Sequence, residues 1–143
     1  MYESLTTLLP SLRTGPYGTW IVDHKNDGSP EHPIQMPFVN YHPAALELQK
    51  AIYRFVEAHE EMGLRRYADI LEEAGIKWAS QPMQKADVSD LDGRTVMALL
   101  VGILRAERFS EGAYLDFCEG GIVQRWLARL EEIDRRAAEG KRP

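Results

Sequence analysis

Arg105, Glu107, Arg108 and Glu111 crowd into the run Arg105-Ala-Glu-Arg-Phe-Ser-Glu111. Two guanidiniums can clamp a carboxylate or phosphate through paired N–H donors, and a shielded carboxylate beside them can move a proton. The same residue types also build salt-bridge networks that only hold elements together, and such networks perturb charge as catalytic groups do. The structural network is the preferred reading, with Ala106 and Phe109 serving packing. Glu107 lies one helical turn beyond Ile103 and Arg108 one turn beyond Leu104. Both charges therefore extend an apolar stripe, and Arg108 is expected to point inward and find a carboxylate there.

Other reactive side chains are spaced less suggestively. Asp23, His24, Asp27, Glu31, His32 and His42 are metal-capable, but no two histidines have the helical i, i+4 offset of a zinc-protease signature. Loop polarity explains them, and no metal and no cofactor is expected. His59 continues an apolar stripe and reads as a helix-edge histidine with one hydrogen-bond partner. Cys118 has no basic neighbour to lower its pKa and reads as an inert, half-buried thiol. No G-x-S-x-G, Walker or dinucleotide glycine pattern is present. Arg125 and Arg129 share one helix face with acids downstream, a solvated surface rather than a nucleic-acid stripe. With Trp126 they form a candidate interface. Trp126 is also large enough to be core, docked with Leu130 on the central helix.

The elements that position these groups follow from periodicity. Val96, Met97, Leu99, Leu100, Val101, Ile103 and Leu104 cover nearly a whole helical circumference, so a central helix over about 92–108 is expected to be buried on most sides. Gly102 within it is expected to admit a neighbouring backbone. Ser89-Asp-Leu-Asp92 supplies capping chemistry before it. Leu5, Leu8, Leu9 and Leu12 predict an amino-terminal helix kinked or ended early by Pro10. Thr19–Asp23 and Ile34–Tyr41 read as strands joined by turn residues, a hairpin over about 19–41 with Asn26-Asp27-Gly28 exposed and Trp20 and Phe38 facing the helices. Pro43 opens a helix closed near Gly63, and a shorter one ends at Gly75. Ile76-Lys-Trp78 is a candidate third strand, and Ala79–Val88 reads as an irregular connection. Ser110 can cap a short helix to Glu119, and a terminal helix spans about 121–138.

The run Ala98 to Gly112, followed by Gly120-Gly-Ile-Val-Gln-Arg-Trp-Leu-Ala-Arg-Leu130, resembles a bacterial domain family of unknown function. That family carries R-x-E-R-F-x-x-G and then a terminal G-x-(I/L)-x-x-x-L-x-x-L helix. Weaker similarity extends through Gly18-Thr-Trp20, Pro37–Tyr41 and Tyr67–Glu72. The resemblance implies a bacterial or phage intracellular domain and no particular substrate.

A chain of 143 residues with 44% hydrophobic content fits one domain spanning 1–143. One cysteine favours a reducing compartment, no signal peptide is recognisable, and the longest apolar run is too short for a bilayer. A cytoplasmic location is expected. A net charge of -5 works against nonspecific nucleic-acid binding. The expected fold is a helix-rich α+β domain, five or six helices around the central one plus a hairpin. The expected function is a non-enzymatic protein-interaction or regulatory module, with an unknown protein partner or self-association and no membrane. The alternative is a small enzyme or anionic-ligand sensor built on the Arg/Glu cluster.

Overall fold

The computed structural model describes residues 1–140. Its leucine-rich start is split into α1 (Glu3–Thr6) and α2 (Leu9–Leu12). Pro10 occupies the first turn of α2, where a missing N–H breaks no intrahelical bond. The break therefore falls just before the proline, and Leu5, Leu9 and Leu12 still reach the core.

Strands β1 (Gly18–Ile21) and β2 (Phe38–Tyr41) form an antiparallel pair, with Trp20 opposite Val39 and Ile21 opposite Phe38. Cross-strand partners share a face. Gly18, Trp20, Val39 and Tyr41 consequently turn to the helices, while Thr19, Ile21, Phe38 and Asn40 turn out. The expected inward Phe38 is thus corrected by one residue: its register turns it out and Val39 is buried instead, while Trp20 turns toward Gly112 yet remains 43% exposed. Apolar residues lie on both faces of β2, so alternation reveals a strand without fixing its phase.

Helix α3 (Pro43–Ala58) starts on its proline and runs into a 3₁₀ turn (Glu60–Met62) closed by left-handed Gly63. A second 3₁₀ turn (Leu64–Arg66) leads into α4 (Tyr67–Glu73). The proposed third strand is absent among the described residues. Ile76 N–H donates to Leu71 O, and Trp78 Nε1 donates to Gly102 O at 3.0 Å, so helices satisfy this segment. The connection read as irregular contains α5 (Ser80–Lys85).

The central helix, α6 (Gly93–Ala106), begins where the Asp92 carboxylate accepts the Thr95 N–H at 2.8 Å. Every residue from Thr95 to Leu104 is buried. Helices α7 (Ala113–Glu119) and α8 (Ile122–Gly140) complete the wrap. Gly112, rather than Ser110, precedes α7, and no side chain of its own caps it. Eight α-helices among the described residues exceed the expected five or six, because α1, α2 and α5 are too short to show a period. Over Gly102 sit the side chains of Met83 and Trp78, not a neighbouring backbone. No helix among the described residues is long and apolar enough to cross a membrane.

Candidate functional site

The charged run sits where α6 stops. After Ala106 the chain tightens, with Arg108 N–H donating to Arg105 O and Phe109 N–H to Ala106 O, the i→i+3 pattern of a helix end. Glu107 stays half-buried. Its Oε1 accepts the Tyr41 hydroxyl at 2.8 Å and the Tyr114 N–H at 2.9 Å, and its Oε2 accepts the Gly112 N–H at 3.1 Å. Glu111 Oε1 accepts the Val39 N–H at 2.9 Å. One carboxylate therefore satisfies the free donors at the start of α7, and the other closes the outer edge of β2. The Tyr41 hydroxyl also accepts the Leu115 N–H. Burial, and then the hydrogen bond to the Glu107 carboxylate, hold that phenol well above its ordinary pKa.

Gly112 makes the junction possible. Its φ is +90°, and a Cβ there would strike the Trp20 indole. Only glycine combines the left-handed backbone with that close ring.

The arginines take no part in this knot. Arg108 is exposed, and neither it nor Arg105 forms an ion pair among the described residues. Arg105 is half-buried, with Nε unpaired. The expected inward Arg108 is a correction: extending the stripe assumes a continuing helix, and the tightened turn swings Arg108 outward. The expected salt-bridge network is corrected as well, because backbone N–H groups and a tyrosine occupy Glu107. Arg105, Glu107, Arg108 and Glu111 thus do not assemble an anion clamp.

The second candidate group divides similarly. Trp126 is fully buried, 5.6 Å from the Phe117 ring centroid, so it belongs to the core and offers no surface to a partner. This corrects its placement in an interface. Arg125 Nη2 donates to Gln84 O at 2.6 Å, and Arg129 donates through Nε and Nη2 to Leu91 O at 3.1 and 3.0 Å. Both arginines strap α8 to the segments on either side of residue 88.

Around the hairpin, the polar side chains organise their own loop. Asp23 accepts N–H groups from Lys25, Asn26 and Gln35 and the Asn26 amide. The Gln35 N–H, followed by the Asn26 side chain, holds its carboxyl far below the usual range. His42 Nε2 lies 2.9 Å from Thr19 Oγ1. Among the described residues no three His, Cys, Asp or Glu side chains are placed to hold a metal ion. His59 stacks on Phe55 and meets Glu61. Cys118 is fully rather than half buried, and burial pushes its thiol up to about 12.

Among several clefts of about 380–460 Å³, the one walled by three aromatic rings lies beside the knot. A cleft of about 460 Å³ opens between α5, the end of α6 and α7, within the usual range for ligand pockets. Trp78, Met83, Ile103, Ala106, Phe109 and Phe117 wall it, with Ser80, Ser110 and Asp116 as its polar groups. Phe109 stands 81% exposed at this cleft, its ring 6.3 Å from Trp78. Sequence reasoning gave Phe109 to packing, and the structure places most of it in solvent. It also missed Trp78, Met83 and Asp116, which come from the α4–α5 connection, α5 and α7. The one available signal was an aromatic residue directly after a charged helix end.

The chain belongs to a family described as "Family of unknown function (DUF6508)", whose model matches residues 2–136. No curated protein and no solved structure matches it.

Proposed function

We propose, on the premise of membership in a family without an assigned activity, that this protein is a non-enzymatic interaction module, regulatory in role, that docks a protein partner at the Phe109 cleft. The carrying observation is Phe109 itself, a large apolar ring held 81% exposed at the edge of an apolar cavity. Leaving such a ring in water forgoes roughly 1.5–3 kcal/mol of burial, a deficit that a partner's surface would recover. Its neighbours Glu107 and Glu111 fix the turn on which it stands. The acidic net charge favours a protein over nucleic acid, and the single buried thiol fits a cytoplasmic, bacterial setting.

Phe109→Ser tests this. Partner capture from the native host should fall at least tenfold while the melting temperature stays within about 1 °C, since exposed substitutions change stability little. Undiminished capture by the variant would overturn the reading. A concentration-dependent mass that Phe109→Ser abolishes would make the partner a second copy.

A further inference from the structure

The cleft has a sign. Asp116 is the one ionisable residue lining it, and its carboxylate joins no ion pair among the described residues. Neither Arg105 nor Arg108 lines it. An anionic guest would therefore meet repulsion and no donor cation, whereas a cation would meet the counter-charge of Asp116, which is exposed at the rim of otherwise apolar walls.

The aromatic walls point the same way. Trp78 is held in place, its Nε1 donating to Gly102 O and the Tyr67 ring meeting it edge-on at 5.2 Å and 74°. Phe109 stands at 78° to it. Two rings nearly at right angles form a corner, and an ammonium within about 6 Å of a ring face is attracted by its quadrupole. Apolar side chains such as Met83 and Ile103 suit a hydrocarbon stem leading to that charge.

We infer that the cleft admits the cationic end of a basic side chain, such as lysine, carried on an apolar segment of the protein partner. This rests on the reading of the cleft as a docking surface. A free amine inside the cavity would leave much of Phe109 bare, while a segment seats its lysine and covers the ring together. The Asp116 carboxylate can receive a lysine ammonium or, through both of its oxygens, an arginine guanidinium, and lysine serves as the probe of that charge.

The test is a titration followed through the Trp78 indole N–H resonance. The probes are acetylated, amidated Leu-Ala-Lys-Ala-Leu, its norleucine and glutamate counterparts at the central position, and free hexylammonium. The lysine peptide should bind at least tenfold more tightly than the norleucine peptide, with the glutamate peptide weakest. Asp116→Asn should erase the lysine advantage without changing norleucine affinity or the melting temperature. Equal affinity for lysine and norleucine would overturn the inference and leave the docking surface standing. Hexylammonium binding as tightly as the peptide would assign the cleft to a small cation instead, and no binding by any probe would overturn both readings.

Discussion

Replacing Glu107 by alanine removes the acceptor for three donors at once: the Tyr41 hydroxyl and the Gly112 and Tyr114 N–H groups. Hydrogen bonds to a charged group contribute about 1.5–3 kcal/mol each, and water entering a half-buried site recovers part of that. A loss of about 3–5 kcal/mol is expected, or roughly 10 °C in melting temperature at about 3 °C per kcal/mol for a domain of this size. Glu107→Gln keeps one acceptor oxygen and turns an NH₂ toward N–H donors, so it should lose about half as much. Because the partners are neutral, 1 M salt should leave the difference from wild type intact, although it shortens the screening length to about 3 Å. Arg108→Ala should change stability by less than about 0.5 kcal/mol. Urea denaturation followed by circular dichroism measures all of these. A Glu107→Ala loss below about 1 kcal/mol, or an Arg108→Ala loss of equal size, would refute the hydrogen-bonded junction.

Gly112→Ala should destabilise by about 2–3 kcal/mol, combining left-handed strain with the clash against Trp20, and a melting scan that does not move would contradict it. Trp126→Ala should cost about 3–5 kcal/mol as a core truncation, read from the urea midpoint, with no change in molecular mass. Asp92→Ala should lose about 1 kcal/mol of capping at pH 7. Hydrogen bonding from the Thr95 side chain, then its N–H, lowers the Asp92 pKa in the fold, so this contribution is present above the unfolded value near 3.9 and fades as pH falls through the folded one. Urea midpoints from pH 7 to pH 3 should show the gap closing, and a constant gap would argue against capping. The Cys118 thiol, buried and pushed up to about 12, should resist a thiol reagent at pH 8 until urea unfolds the chain, and prompt labelling of the native protein would show the site to be open.

The fold was most legible where one face or one residue decides the outcome. Val96 to Leu104 could be nothing but buried, and Asp92 and Gly63 mark helix boundaries by their own chemistry. The polar run after Asp23 marks the connection between the strands, although its tight turn falls at Pro30-Glu31 within the Ser29–His32 bridge rather than at Asn26-Asp27-Gly28, where Asn26 is half-buried. Legibility failed where a choice depends on partners distant in sequence. The phase of β2 was set by Val39 lying over the α6–α7 turn, not by its local pattern. Helices as short as α5 carry no period to read. At the site, residue type alone suggested that arginines and glutamates pair, whereas the glutamates meet backbone donors from β2 and α7 that no local spacing discloses. The cleft assembles Trp78, Met83, Phe109 and Asp116 only in three dimensions.

Photo-crosslinking from position 109 tests the docking surface most directly. A benzoylphenylalanine in place of Phe109 should form one dominant adduct in the native host, its cross-linked peptide carrying an apolar segment, and a second substitution, Trp78→Ala, should abolish it. The same probe in place of Met36, on the exposed hairpin, should give no comparable adduct. A dominant adduct from position 36 with none from position 109 would move the interaction to the hairpin and contradict the assignment.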